Sequence, residues 1–362
     1  SLQQDAANKL NFTTKRTMMV AQQLYEGVEV KGAGTVGLVT YIRTDSVRIS
    51  EEAKAMAHAY IEENFGKNYT ANNLYTNKKK DIQDAHEAIR PSRITLDPES
   101  IKDSLTKEQY SLYKLIWTRF LASQMAPAVF DSMQVSIANG GYGLKASGSK
   151  LIFDGYQKVY SPNFDEDKDK LLPELAEGEE LKAEQILPEQ KFTEPPARFT
   201  EASLVKELEE KNIGRPSTYA PIIATILERK YIGREKKVLV PTDLGFLVTQ
   251  LMEEYFKEIV DTGFTAEMED KLDDVETKAL NWKQVVRDFY GPFEKELEAA
   301  DKAIEKVELP EQITDEVCEL CGKPMAIKSG RFGEFLACTG YPECKNTKPI
   351  DKATGVKCPD CG

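Results

Sequence analysis

The chain has 362 residues, 41% hydrophobic and 30% charged, with a formal net charge of −12. This length allows two to four domains with sizeable cores, and no apolar run approaches the roughly 20 residues of a membrane span, so a soluble globular protein is expected and a helical membrane protein is excluded. The negative charge argues against a bulk polyanion binder, but residues 154–190 and 251–316 together carry −19, which leaves the remainder net basic by 7 and able to hold a local basic track.

Residues 1–36 read as helix, with Leu10, Phe12, Met18, Met19, Leu24 and Tyr25 apolar among Lys15, Arg16 and Gln22. Gly32 and Gly34 punctuate before a run of β-formers, Leu38 to Ile42. That run predicts a short strand ending in Tyr41-Ile42-Arg43. Ser50 is placed to cap a helix whose apolar face is Ala53, Met56, Ala57, Tyr60 and Ile61. Lys78, Lys79 and Lys80 read as a solvated run. A further helix is expected from Thr106 to about Ala126, with a core-facing stripe of Tyr110, Tyr113, Ile116, Trp117, Phe120 and Leu121.

The period then changes. Met133, Val135 and Ile137 alternate with polar residues, Gly140-Gly141 is a hairpin signal, and 128–192 reads as β interrupted by an acidic loop over 163–182. Pro195-Pro196 marks a hinge. Helices return over 200–300. Thr200 caps one, Ser217 or Thr218 caps the next, and a ribbon of Tyr231–Gly233 and Val238–Val240 follows. Helix, turn, helix and ribbon together suggest a winged-helix unit. Three more helices, 244–256, 265–275 and 282–293, carry acidic outer faces and read as scaffold.

All six cysteines lie after residue 317, which favours a local metal site in a reducing compartment over a disulfide framework. Cys318-x2-Cys321 and Cys338-x5-Cys344 form two knuckles, enough to give a tetrahedral zinc ion a closed, structural shell. Lys328, Arg331, Phe332 and Phe335 between the knuckles suit single-stranded DNA through charge and stacking, and equally suit packing over the metal. Cys358-x2-Cys361 reads as half of another ribbon.

Residues i and i+2 of a strand share a face, so the Tyr41 hydroxyl and the Arg43 guanidinium can share one site. A phenol nucleophile beside a guanidinium suits attack on a phosphodiester. Taken alone, the pair also fits a structural tyrosine followed by a surface arginine. His86 and Arg90 can both bond phosphate oxygens, and the Arg215–Thr218 turn sits at a helix N-terminus suited to phosphate, with Arg229 at the far end of the same helix.

The stretch G-L-V-T-Y-I-R-T-D-S from Gly37 closely resembles the active-site segment of type IA DNA topoisomerases, the bacterial topoisomerase I family. Four other blocks recur in that family's order: S-L-Q-Q-D-A from Ser1, T-M-M-V-A-Q-Q-L-Y-E-G from Thr17, D-A-H-E-A-I-R-P-S from Asp84 and E-A-S-L-V-K-E-L-E-E-K-N-I-G-R-P-S-T-Y-A from Glu201. The resemblance implies that Tyr41 forms a 5′-phosphotyrosine link with a cut strand and that Arg43 assists at the scissile phosphate. His86, Arg90, Arg215, Ser217, Thr218 and Arg229 become DNA contacts, and Cys318, Cys321, Cys338 and Cys344 the ligands of a structural zinc.

The implied fold is multidomain α+β, mainly helical, with winged-helix-like units, a β-rich gate segment and a C-terminal four-cysteine zinc ribbon. The expected domains are 1–125 with the catalytic tyrosine, 126–196 as β-rich gate or hinge, 197–310 as the DNA-binding helical unit, 311–350 as the ribbon and 351–362 as the start of a second. The implied activity is ATP-independent cleavage, strand passage and resealing that relaxes negatively supercoiled DNA. The implied partner is single-stranded DNA, and the implied setting is the bacterial cytoplasm at the nucleoid, as a monomer. The family binds magnesium through an acidic N-terminal domain. No D-x-D-x-E cluster occurs here, and the chain opens within a family block without a start methionine. It is therefore expected to be the middle of a longer protein, with the magnesium ligands outside it and little relaxation activity alone. The rival readings are a non-catalytic DNA-binding zinc-ribbon module, and a sister enzyme such as topoisomerase III or reverse gyrase.

Overall fold

The computed structural model describes residues 1–75, 86–160, 172–304, 312–330 and 333–350. The Lys78–Lys80 run, part of the acidic 163–182 loop, Arg331, Phe332, Cys358 and Cys361 lie outside the described residues. The chain divides into two compact units, residues 1–242 with 257–287, and residues 243–256 with 288–362.

The first unit opens with two helices, α1 (Leu2–Leu10) and α2 (Thr14–Glu26), where the sequence suggested continuous helix. Asn11 takes a left-handed conformation that ends α1, and the Thr13 hydroxyl accepts from Arg16 N to start α2. A small hairpin follows, β1 (Val28–Val30) with β2 (Gly34–Val36). Helix α3 (Glu51–Asn64) is capped by Ser50, which accepts from Ala53 N, and buries Ala53, Ala57 and Ile61. Helix α4 (Lys107–Ser123) begins with a capping box between Thr106 and Gln109.

The core of the unit gathers around α4. Leu112, Tyr113, Ile116, Trp117, Phe120 and Leu121 pack against Val20, Leu24, Leu38, Ile42 and Ile61. Their polar atoms are satisfied: the Tyr113 hydroxyl donates to Leu96 O at 2.7 Å and Trp117 Nε1 to Ile94 O at 3.0 Å. Burial pushes the Tyr113 phenol well above its ordinary pKa. The aromatic stripe is thus core, and Tyr110 at its margin bonds Glu99 instead.

Strands β3 (Val129–Asn139) and β4 (Tyr142–Phe153) form a two-stranded antiparallel ribbon turning at Gly140-Gly141, with Asn139 paired to Tyr142. Beyond a short turn at Gly155–Lys158, residues 172–199 run without regular structure.

Helix α5 (Glu201–Glu210) starts in a capping box of Thr200 and Ser203. Helix α6 (Tyr219–Glu228) follows, and β5 (Ile232–Glu235) pairs with β6 (Val238–Pro241) across the turn of Lys236 and Lys237. An isolated bridge from Thr200 to Val238 ties the ribbon to the start of α5, completing a helix–turn–helix–ribbon unit. This unit is joined to the first two helices through Glu201. Its buried carboxylate accepts from Thr14 N at 2.7 Å and Thr14 Oγ at 2.9 Å, and pairs with Arg234. Helix α7 (Asp243–Tyr255) belongs to the second unit, whereas α8 (Lys257–Val260) and α9 (Thr262–Glu276) return to the first. Asp261 caps α9 by accepting from Gly263 N and Phe264 N.

The second unit holds the later part of α10 (Trp282–Ala303), where Phe293 stacks on Phe289 and meets Phe256. It also holds a four-stranded antiparallel sheet in the order β10-β9-β8-β7, from β7 (Gln312–Val317), β8 (Pro324–Gly330), β9 (Gly333–Cys338) and β10 (Thr347–Pro349).

Candidate active site and metal centre

Tyr41 stands on a segment clamped from two sides. On one side is the end of α2, where Leu38 N donates to Leu24 O at 2.7 Å. On the other is the segment after His86. Thr40 N donates to Arg90 O at 2.9 Å, the Thr40 hydroxyl to Ala88 O at 2.8 Å, and Ser92 N to Leu38 O at 2.9 Å. The expected strand is reduced to one bridge, Val39 with Pro91. Leu38 spends its amide on the helix end, and the partner is centred on a proline, which has no N–H to extend a ladder.

The side-chain alternation survives without the strand. Ile42 is buried between Tyr41 and Arg43, which are both exposed. The Tyr41 ring, 40% exposed, lies edge-on to Tyr25 with centroids 5.6 Å apart and tilted against His86 at 5.5 Å. Among the described residues neither the Tyr41 hydroxyl nor the Arg43 guanidinium has a hydrogen-bond partner. His86 is held from behind, its carbonyl accepting from Arg48 Nε at 3.4 Å.

The other candidates are placed differently. Arg90 is mostly buried and turned inward. Its Nε and Nη2 meet Glu87 at 2.9 and 2.7 Å, and its Nη1 donates to Pro91 O at 3.1 Å. Arg215 is paired with Asp273 at 2.8 Å and Glu269 at 3.5 Å. The Thr218 hydroxyl accepts from Arg215 N at 2.8 Å and donates to Arg215 O at 3.1 Å, and makes no side-chain cap on α6. Ser217 is exposed beside it. Arg229 sits at the C-terminal end of α6, roughly 15 Å of helix away, so it does not join that cluster.

The Arg215 loop touches the start of the chain. Gln3 Nε2 donates to Pro216 O at 3.3 Å. The Tyr219 hydroxyl is pushed up to about 12, first by burial and then by Glu209, with Asp45 and Glu269 adding to the push and Arg215 opposing it. Tyr25 was legible in the sequence only as an apolar helix residue, and Glu269 and Asp273 only as an acidic face; their partners lie far along the chain.

In the second unit the Sγ atoms of Cys318, Cys321, Cys338 and Cys344 all lie within 4.8 Å of one another. Cys318 and Cys344 are 3.7 Å apart and Cys321 and Cys338 3.2 Å, both well beyond a bonded disulfide; the first matches the edge of a thiolate tetrahedron around zinc, about 3.8 Å for Zn–S bonds near 2.3 Å, and the second is shorter than it. Asn346 Nδ2 donates to Cys318 Sγ at 3.3 Å and Gly340 N to Cys338 Sγ at 3.3 Å. Such donors favour thiolates and orient them, as outer-shell groups of metal sites do. Four sulfurs fit zinc and leave no open position for substrate.

A DNA topoisomerase family model matches residues 1–287, and a topoisomerase DNA-binding C4 zinc-finger model matches residues 315–353. The structure of full-length topoisomerase I from Thermotoga maritima is similar at TM-score 0.69 and 38% sequence identity, over 97% of this chain and 56% of that one. The chain thus spans a little over half the length of that relative. With the family model covering most of the chain and its zinc finger falling on the cysteine quartet, the chain belongs to the type IA DNA topoisomerases.

Proposed function

We propose that this chain supplies the nucleophile and DNA-strand contacts of a topoisomerase that cuts and reseals one strand of DNA, and so relaxes negatively supercoiled DNA. One observation carries the reading: an exposed tyrosine, steadied by two aromatic rings, with an exposed arginine two residues on.

In the proposed reaction the Tyr41 oxygen attacks the phosphorus in line. A P–O bond to tyrosine forms as the bond to the 3′ oxygen breaks; the phenol gives up its proton, and the 3′ oxygen takes one up and leaves as a hydroxyl. Arg43 offsets charge on the non-bridging oxygens, and His86 stands beside the same ring to meet a phosphate oxygen. The 3′ hydroxyl later attacks the phosphotyrosine and restores the strand. Both esters are close in energy, so no nucleotide is consumed. Single-stranded DNA is the segment bound, with Arg215, Ser217, Thr218 and Arg229 as further contacts. Arg90, paired with Glu87, shapes the segment behind Thr40 and meets DNA only if that pair opens.

The family implies magnesium. Its ligands are assigned, as the family implies, to residues outside this sequence, and no step depends on it here. The proposed domain limits are 1–125, 126–196, 197–310 and 311–350, in a monomer acting at the bacterial nucleoid.

The test is covalent trapping. Labelled single-stranded DNA and magnesium are mixed with the chain alone, and with the chain plus the magnesium-binding domain of a relative, then denatured. Label migrating with protein, lost in Tyr41→Phe, is the expected result. DNA binding without any adduct under either condition would move the chain to the rival reading, a binding module.

A further inference from the structure

The loop between α5 and α6, read above as a DNA contact, is occupied by the chain's own carboxylates. Arg215 Nη2 donates to Asp273 Oδ2 at 2.8 Å. Its Nη1 lies 3.5 Å from Glu269 Oε2 and donates to Gly214 O at 3.0 Å. At the start of the same loop, Asn212 Nδ2 donates to Asp270 Oδ1 at 2.7 Å. Glu269 and Asp273 are one turn apart on α9, and Asp270 adjoins Glu269, so one helix face reaches one loop at three points.

The contact has a definite chemistry. A guanidinium offers the same fork of N–H donors to a carboxylate and to a phosphate. The Arg215 side chain is 27% exposed and the Glu269 side chain 25%, so that contact is half-buried, whereas Asp273, at 57%, reaches Arg215 from the surface. While the carboxylates hold these N–H groups, a phosphate cannot take them. Gly214 makes the arrangement possible. Its backbone has φ +77°, and a side chain there would stand 2.9 Å from Thr218 Oγ.

We propose that α9 is an internal stand-in for DNA: Glu269 and Asp273 occupy the phosphate position on Arg215, and a phosphodiester of single-stranded DNA must displace them to bind. The proposal rests on the reading of the Arg215 loop as a DNA contact. It raises the threshold for binding at this loop, so that a strand already held elsewhere on the protein is favoured over a chance encounter. The opposite arrangement, carboxylates holding Arg215 poised for DNA, predicts the opposite sign.

The experiment is fluorescence anisotropy of a labelled single-stranded oligonucleotide with the full chain at one fixed salt concentration. The Glu269→Gln, Asp273→Asn double variant should bind about fivefold more tightly, the gain expected from removing two partly exposed competing pairs. Asp273→Asn alone should show part of that gain. Glu267→Gln with Asp274→Asn removes the same charge from exposed positions of α9 that do not touch Arg215, and should change affinity by less than about twofold. Arg215→Ala should weaken the parent and erase the gain in the double variant.

Unchanged or weaker binding by the double variant, or an equal gain in the charge-matched control, overturns the proposal. If Arg215→Ala weakens the parent while the double variant shows no gain, only the stand-in falls and the loop remains a DNA contact. If Arg215→Ala leaves the parent unchanged, the assignment of this loop to DNA falls as well. The Tyr41 adduct test does not depend on either outcome.

Discussion

At the scale of single residues, the position of Tyr41 depends on a side chain that is absent. A Cβ on Gly37 would stand 2.7 Å from the carbonyl oxygen of Tyr25, a backbone atom that cannot swing aside. The Ser92 hydroxyl donates to Gly37 O at 2.6 Å, so the segment is pinned from the far side as well. Gly37→Ala must push the tyrosine segment off α2 or strain the helix end. It should cost about 1–3 kcal/mol, the usual range for overpacking a fixed site. Denaturant unfolding followed by the fluorescence of buried Trp117 is the measurement, and an unchanged midpoint would remove Gly37 from this role. The glycine opens a block quoted from the sequence, but nothing local shows which atom it makes room for. The same limit applies to Tyr25, Glu269 and Asp273. Residue type and spacing made the Tyr41–Arg43 chemistry legible, because i and i+2 share a side whether or not a ladder forms. Contacts between residues tens or hundreds of positions apart leave no such spacing.

At the scale of elements, the helices were the most legible part, because each carries a period and several carry a cap, although the expected Ser217 or Thr218 cap on α6 does not form. Ser50 and Thr200 accept the amide three residues on, as their positions before apolar-periodic runs suggested, and Thr106, expected only as the start of a helix, does the same. The strand at Leu38–Ile42 did not form, since a β-forming run still needs a partner able to continue the ladder. What joins the elements was also hidden in the sequence. Glu201 reads as the first residue of a helix, where an acid complements the helix dipole. In the structure its carboxylate also caps α2 from outside, through Thr14, and holds Arg234 of the ribbon. Glu201→Ala leaves a buried amide and hydroxyl without their acceptor and frees a cation. It should destabilise the first unit by about 2–3 kcal/mol, as expected for lost hydrogen bonds to a charged group. Thr200→Ala, which removes only the local cap, should cost about 1 kcal/mol. Equal effects of the two substitutions in thermal unfolding would mean that Glu201 does no more than cap its own helix.

At the scale of the molecule, the two units are stabilised by different means. The first has a continuous core around α4, with large side chains such as Tyr113, Leu112 and Leu121 fully buried. In the sheet of the second, the buried cluster among the described residues is Cys318, Met325, Leu336 and Cys338, with Ile327, Cys344 and Ile350 partly covered. A small apolar cluster of this kind offsets little of the entropy of ordering four strands, and a metal bond network is expected to supply the difference. Both knuckles of the quartet sit at strand ends: Cys318 directly follows β7 and Cys338 ends β9. Loss of zinc would therefore release the pairing of Met325 with Cys338 first, and the rest of the ladder after it. Treatment with a zinc chelator should abolish amide protection over 325–328 and 335–338 in hydrogen exchange, while the unfolding midpoint reported by Trp117 stays where it was. Substitution of Cys338 by Ser should reproduce the loss without chelator, since three thiolates and a hydroxyl hold zinc less tightly than four thiolates. Protection persisting in metal-free protein would mean that the sheet stands on its own packing and that the quartet is not its organising centre. A shift of the Trp117 midpoint on chelation would mean instead that the two units share stability.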